Sequence, residues 1–139
     1  MSHEFIRITS TTDIPADKDA QIRIILEGRV QDAVYRKFMS AAPLAKVTDY
    51  SSFFQVTLED LRHHIRTHSE EVNRLLPWES DRPRSGIGIV RTPIGFELRE
   101  HDDHGVITGR EEFTDLAAVY EKWLQRLLLN QGLRSLLDR

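Results

Sequence analysis

The stretch from Gly86 to Asn130 decides the fold, and it reads GIGIVRTPIGFELREHDDHGVITGREEFTDLAAVYEKWLQRLLLN. Its first half alternates apolar and polar residues with a period of two, which indicates strands near 86–92 and 95–101 and a third strand over about 106–108. Its second half changes to a spacing of three and four residues, which predicts an amphipathic helix. The apolar stripe of this helix consists of Leu116, Val119, Tyr120, Trp123, Leu124, Leu127 and Leu128.

Residues typical of turns and caps bound these elements. The segment 92–94 joins the first two strands, and the Asp-Asp-His-Gly segment 102–105 leads into the third. We expect Thr114 to cap the long C-terminal helix and Gly132 to end it. The second half of the chain is therefore predicted to be a small antiparallel meander, near residues 86–110, that continues into a helix.

The first half of the chain is predicted to be mostly helical. Residues 21–28 fit a strand by alternation, but they also fit a helix running from about residue 18 to 41 with Gly28 inside it. We favour the helix because the apolar stripe continues past the glycine. A second helix is expected to begin at Thr57 as its N-cap and to stop at Pro77.

Length and composition favour one α+β domain spanning residues 1–139, with a long internal loop at about 77–86. The chain is 40% hydrophobic and 29% charged, which is typical of a globular protein. It has no apolar run long enough to cross a bilayer and no apparent secretory signal, so we expect a cytoplasmic protein by default. Its lack of cysteine excludes disulfides and a cysteine nucleophile, and its formal charge of −3 argues against nucleic-acid binding.

The histidines are the first candidates for chemistry. His64 and His68 lie four residues apart on the second predicted helix, so their side chains share a face, and the turn at 102–105 adds further ligand types. However, His68 falls between Ile65 and Val72 on the apolar face, which favours a packing role. His64 has no matched carboxylate at ligand spacing. We therefore expect neither a bound metal nor another cofactor.

Residues 28–38, GRVQDAVYRKF, resemble the acylphosphatase signature. The resemblance implies a strand, a glycine-rich loop and an arginine, here Arg36, that together hold a phosphate. The segment departs from that signature at Asp32 and Ala33, which replace the glycine-containing centre of the loop. A carboxylate there would repel a phosphate, so we predict that the segment is inactive. The alternative interpretation is an amphipathic helix with charged outer residues.

No catalytic motif occurs anywhere in the chain, so we assign no catalytic residues and expect a non-enzymatic intracellular binding module. Small acidic α+β proteins of this kind include bacterial inhibitors and toxin-neutralising immunity proteins, which act by protein–protein contact. Trp78 could anchor a partner, although it could equally cover the core. The other predicted contact residues are acidic and would attract a basic protein: Glu97, Glu100, Asp102, Asp103, Glu111 and Glu112.

Two further functions remain open at this stage. The first is a small hydrolase of phosphorylated or metal-bound substrates, based on residues 28–38. The second is a homo-oligomeric assembly protein, because Leu129, Leu133, Leu136 and Leu137 extend the apolar surface of the C-terminal helix beyond what a small sheet can cover. A homodimer through this helix is the simplest such assembly.

Overall fold

The computed structural model describes residues 14–31, 33–34, 49–74, 86–102 and 104–139. In chain order, these residues form helix α1 (Lys18–Leu26), a 3-10 helix (Ser51–Phe53), α2 (Leu58–Thr67), α3 (Ser69–Asn73), strands β1 (Ile87–Thr92), β2 (Gly95–His101) and β3 (Ile107–Phe113), helix α4 (Leu116–Asn130) and a second 3-10 helix (Arg134–Asp138). The protein is thus an α+β fold with a three-stranded antiparallel sheet and a long C-terminal helix, which confirms the predicted class.

The sheet is a meander in the order β1-β2-β3. The two-residue connection 93–94 joins β1 to β2, as predicted, while β3 continues to Phe113 and is longer than its sequence indicated.

Gly95 opens β2 at a position with no room for a side chain. A Cβ atom there would lie 2.3 Å from the carbonyl oxygen of Phe113, so a larger residue would separate the strands.

One face of the sheet packs against α4. Ile87, Ile89 and Leu98 are buried on this face, as period-two alternation requires. The buried residues of α4 are Val119, Trp123, Leu124, Leu127 and Leu128. The N-cap of α4 is Asp115 rather than the predicted Thr114. The Asp115 carboxylate accepts a hydrogen bond from the Ala118 N–H at 3.1 Å, so the helix begins one residue later.

Helix α1 is shorter than predicted because Gly28 terminates it. Gly28 has a φ of 74°, and its N–H donates to the carbonyl oxygen of Ile25 at 3.1 Å. The next N–H, of Arg29, donates to the carbonyl of Ile24 at 2.9 Å. This pair of bonds is the Schellman arrangement that closes a helix. The prediction of an uninterrupted helix from 18 to 41 is therefore wrong: the chain turns at the glycine, and helical conformation resumes only at Val30.

The second predicted helix begins at Thr57 but is broken at His68. Thr57 and Asp60 form a reciprocal capping box: the Asp60 N–H donates to the Thr57 hydroxyl at 3.1 Å, and the Thr57 N–H donates to the Asp60 carboxylate at 2.9 Å. At His68 the backbone leaves helical geometry, with φ −125° and ψ 46°. Residues 67–69 all have modest helix propensity, which explains why the break falls there. The predicted stop at Pro77 lies outside the described residues.

The leucines that follow α4 are covered by the chain itself. Gly132, with a φ of 72°, ends the helix as predicted. Leu133 and Leu136 are fully buried in the core, whereas Leu129 is 41% exposed. The expectation of an uncovered apolar surface is therefore wrong for Leu133 and Leu136 and holds only for Leu129, so most of the support for a homodimer through α4 is lost.

A buried glutamine links the two ends of the described chain. The Gln131 side chain accepts a hydrogen bond from the Val30 N–H at 3.1 Å and donates one to the carbonyl of Ile25 at 2.7 Å. The Val30 N–H thereby gains an acceptor, and the Ile25 carbonyl, which already accepts from Gly28 in the turn, gains a second donor. The residue just beyond α4 thus holds the end of the first helix.

Several predictions fall on residues outside the described ranges. They concern Trp78, Asp103 and nearly all of the loop at about 77–86, and the single-domain organisation of residues 1–139 stays a prediction. None of the helices in the described part of the chain has the length and apolar character that crossing a membrane requires.

Candidate functional site

The acidic residues that we predicted as one contact surface lie on both faces of the sheet. Residues directly opposite each other in an antiparallel sheet share a face. Glu97 lies opposite Glu112, so both are on one face. Glu111 lies opposite the buried Leu98, so it shares with Glu100 the face that packs against α4. The predicted surface is therefore divided between the two sides.

Two of these carboxylates are held within the fold. Glu97 forms an ion pair with Arg99, and its side chain is only 13% exposed. Glu97 lies on the face of the sheet away from α4, as alternation predicts, but it is largely covered there, and its pairing with Arg99 offsets the cost of burying the charge. Glu100 accepts hydrogen bonds from Arg126 at 2.7 Å and from Asn130 at 3.2 Å, which ties β2 to α4.

Asp102 has a local structural role in the turn between β2 and β3. Its carboxylate accepts hydrogen bonds from the N–H groups of His104 at 2.9 Å and Val106 at 3.0 Å. Such bonds from an aspartate to the following backbone are typical of turns. Asp102 remains exposed, so its charge also faces solvent, while Asp103 lies outside the described residues.

Glu111 and Glu112 differ from the other acidic residues. Both are exposed on β3, and neither forms an ion pair or side-chain hydrogen bond within the described part of the chain. Four residues separate Glu111 from the start of β3, which is about 14 Å at the rise of an antiparallel strand. The turn at Asp102 and the two glutamates are therefore separate sites at opposite ends of β3.

A second group of candidate residues lies between α2 and α3. His64 is only 3% exposed, and its Nε2 atom lies 3.2 Å from Oε1 of Glu71. Its ring stacks on that of His68, with centroids 4.0 Å apart and planes 7° from parallel. We predicted that His68 packs on the apolar face, and this is wrong: the helix break turns His68 outward, so His64 is the buried histidine.

The carboxylate of Glu71 connects this group to α1. The Nε atom of Arg23, on α1, lies 3.4 Å from Oε1 of Glu71, the same oxygen that His64 contacts. Burial raises the pKa of Glu71, but hydrogen bonds from His64 and Arg23 and the positive charge of Arg23 outweigh burial, so the pKa lies below its ordinary value. Glu71 is therefore a charged acceptor that orients the buried imidazole.

A cleft of about 530 Å³ opens beside this group, between α1 and α2. Three carboxylates line this cleft, those of Asp19, Glu59 and Asp60, and the last two have partners in the fold. Asp60 belongs to the capping box and lies 3.6 Å from Lys18, while Glu59 accepts a hydrogen bond from Arg66 at 2.8 Å. The hydrogen bond from the Thr57 N–H lowers the pKa of Asp60. This effect is larger than that of burial, which raises the pKa. The Asp60 carboxylate therefore stabilises the N-terminus of α2, and the Glu59 carboxylate pairs with an arginine of the same helix.

The described residues do not assemble a metal centre. In those parts of the chain, no three histidine or carboxylate side chains come close enough to hold an ion. His64 directs one ring nitrogen to Glu71, and the Nδ1 atom of His68 lies 2.9 Å from the Thr67 hydroxyl. Each ring thus has one nitrogen within hydrogen-bond distance of a neighbouring side chain.

Sequence reasoning missed the partnership of His64 with Glu71. The two residues are seven positions apart, which is two helical turns and places them on one face. A spacing of two turns is compatible with a contact, although contacts within a helix usually join residues three or four positions apart. The break at His68 alters the path of the chain between the two residues, and sequence patterns did not indicate it.

The segment that resembles acylphosphatases lacks the strand that the resemblance implies. Residues immediately before Gly28 form α1, and the glycine serves as a helix terminator. Arg29 pairs with Glu27 at 3.1 Å. Asp32 and Arg36 lie outside the described residues. The described part of this segment therefore fits the alternative helical interpretation better than a phosphate-binding loop.

Comparisons with protein-family models, curated proteins and solved structures found no match. The geometry of the described residues is therefore the basis for a functional proposal.

Proposed function

We propose that this chain is a protein-binding module that acts without catalysis, through the two exposed carboxylates of β3, Glu111 on the side of the sheet that faces α4 and Glu112 on the opposite side. The observation that carries this proposal is the exposure of these two glutamates together with their lack of partners among the described residues. Other acidic residues of the meander, such as Glu97 and Glu100, serve internal ion pairs. The described fold gives Glu111 and Glu112 neither an ion pair nor a side-chain hydrogen bond.

A basic protein fits these carboxylates. Exposed acidic residues attract a basic partner over a distance and raise the rate of association, more than they strengthen the final complex. The formal charge of −3 adds to this attraction. Inhibitors and toxin-neutralising proteins act through such surfaces, and this class is the specific form of the proposal.

The two other functions from the sequence have less support. A hydrolase based on residues 28–38 would need a strand where α1 lies. An assembly protein built through α4 would need uncovered leucines, but Leu133 and Leu136 are buried.

The proposal can be tested by affinity capture with matched variants. Wild-type protein, Glu111→Lys and Glu70→Lys would be immobilised and exposed to a lysate of the source organism, and captured proteins would be identified and their association rates measured. Glu70 is an exposed glutamate on α3, so its substitution makes the same charge change away from β3.

We expect wild type and Glu70→Lys to capture the same basic protein, and Glu111→Lys to associate about tenfold more slowly at low salt. The difference should shrink at high salt, because ions screen exposed charges. Equal rates and equal salt dependence for the two variants would show that β3 is not the contact surface.

A further inference from the structure

Strand β3 has an exposed outer edge. The sheet order places β2 in the middle, and within the described ranges no strand pairs with the other side of β3. The even-numbered residues of this strand are all exposed: Thr108, Arg110 and Glu112. Such an edge presents backbone donors and acceptors to any additional strand.

The hydrogen-bond pattern shows which backbone groups face outward. The N–H of His101 donates to the carbonyl oxygen of Gly86 at 2.9 Å, so these two residues form a hydrogen-bonded pair between β1 and β2. Hydrogen-bonded pairs alternate along a strand, so the even-numbered residues of β2 direct their backbone groups to β3. The register matches them with odd-numbered residues of β3. The register shifts by one residue at Thr108, between the pairs Glu100–Gly109 and His101–Ile107, so the alternation holds from Gly109 onward. The outward backbone groups therefore belong to Arg110 and Glu112.

The charges on this edge do not serve the sheet to which they belong. Arg110 lies opposite Arg99, and Glu112 lies opposite Glu97. Like charges directly opposite each other weaken a sheet. A strand on the outer side of β3 could supply each of these residues with an opposite charge.

We propose that two copies of this chain associate through their β3 strands, antiparallel and across a two-fold axis at Glu111. In this register, Arg110 of each copy faces Glu112 of the other, and the outward backbone groups of both residues form hydrogen bonds across the axis. The two sheets then form one continuous six-stranded sheet. The outer edge of β3 is self-complementary in charge, which identifies a second copy as its occupant.

The other side chains fit the same register. Phe113 of each copy faces Gly109 of the other, where the absence of a side chain leaves space for an aromatic ring. Thr108 faces Thr114, a pair that stabilises antiparallel strands. Only Glu111 meets a like charge, its own copy at the axis. α4 packs mainly on β1 and β2, which leaves the outer side of β3 accessible.

A neighbouring register is less favourable. An axis at Arg110 would place this arginine opposite its own copy and would match Glu112 with Thr108. Both ion pairs would then be lost, so the charges select the axis at Glu111.

The test is the mass of the purified protein in sedimentation experiments, at concentrations up to about 1 mM because so short a strand pairing buries little area. Wild type would be compared with Arg110→Glu, with Glu112→Arg and with the double exchange Arg110→Glu/Glu112→Arg. All these side chains are exposed, and unchanged thermal unfolding would confirm that the variants fold. The double exchange leaves the net charge unaltered.

We expect wild type to approach the dimer mass, each single variant to raise the dissociation constant by about tenfold or more, and the double exchange to restore association. Hydrogen exchange at Arg110 and Glu112 should slow as the protein is concentrated. A monomer throughout the range would overturn the proposal, as would a dimer insensitive to the single variants or a double exchange that fails to restore it.

This inference uses the same strand as the proposed binding of a basic protein, but the two are tested by different measurements. Self-association is measured on the pure protein by its mass, whereas binding of a basic partner is measured by capture from a lysate. The charge exchange between residues 110 and 112 tests self-association without altering net charge.

Discussion

The Nε2 atom of His64 lies 3.2 Å from Oε1 of Glu71, and this contact holds α3 against α2 across the break at His68. The imidazole is buried while the carboxylate is only partly so. A buried polar ring needs a partner, because an unsatisfied nitrogen in the interior carries the full cost of desolvation. Glu71 is that partner, and Arg23 in turn neutralises Glu71.

Replacing Glu71 should therefore destabilise the protein. We expect Glu71→Ala to lower the free energy of unfolding by about 1–3 kcal/mol at pH 7, since it leaves His64 without its acceptor. Urea unfolding measures the difference. Glu70→Ala is the matched control, because Glu70 is exposed and should change stability by less than about 0.5 kcal/mol. Equal effects of the two substitutions would contradict a role for the contact.

The same contact predicts a pH dependence. The pKa of Glu71 is lower in the folded protein than its ordinary value of 4.5, so the folded state favours the charged carboxylate. Its contribution to stability is complete above the pKa of the unfolded chain and is lost as the pH falls through the folded pKa. The difference between wild type and Glu71→Ala should shrink below about pH 4.5.

Asp49 should show a stronger acid dependence. Burial raises its pKa, but hydrogen bonds from Ser135 and Ser51 prevail and lower it from 3.8 to about 2. Its stabilising effect should therefore be complete above pH 3.8 and disappear between 3.8 and about 2. We expect Asp49→Asn to be less stable than wild type at pH 7 and equally stable at pH 2, by urea unfolding. Asp138→Asn, an exposed aspartate in the second 3-10 helix, should match wild type at both values.

The two leucines near the end of α4 should respond differently to truncation. Leu133 is fully buried, so Leu133→Ala should cost about 2–5 kcal/mol of unfolding free energy through lost contacts and an unfilled cavity. Leu129 is 41% exposed, and Leu129→Ala should cost much less. Thermal unfolding of both variants gives the comparison. Comparable losses at the two positions would mean that the core does not extend to Leu133 as described.

Gly28 should resist substitution by alanine. Its φ of 74° is unfavourable for residues with a Cβ, so Gly28→Ala should cost about 1–2 kcal/mol. Gly28→Asn should cost less, because asparagine adopts this conformation more readily. Equal stability of wild type and Gly28→Ala, by urea unfolding, would argue against the helix termination at this glycine.

The meander and α4 could be predicted because their periodic patterns agree with their burial. Alternation located the first two strands, and Thr57 and Gly132 marked helix ends through cap chemistry that depends on a single residue. Gly28 was assigned to a helix interior, since one glycine costs too little to exclude that position; in the structure it ends the helix, and Gln131 adds two hydrogen bonds to the backbone around this turn.

The candidate sites were less predictable because they depend on which charges find partners. Sequence showed that acidic residues gather near β2 and β3, but only the packed structure shows that Glu97 is covered and pairs with Arg99 while Glu111 and Glu112 stay exposed. Likewise, the stacking of His64 on His68 depends on a helix break at residues of unremarkable propensity. Tertiary packing decides such details.

The hydrogen bond from Gln131 to the carbonyl of Ile25 joins residues separated by 106 positions. The turn that ends the first helix closes through local bonds, but the two hydrogen bonds that Gln131 adds to it require the end of the last helix to be in place. Contacts between such distant parts of a chain slow folding, because a long loop must close before they stabilise anything. The same link makes unfolding cooperative: a disturbance at the end of α4 releases the end of α1 at once, so the two ends of the described chain should lose their structure together.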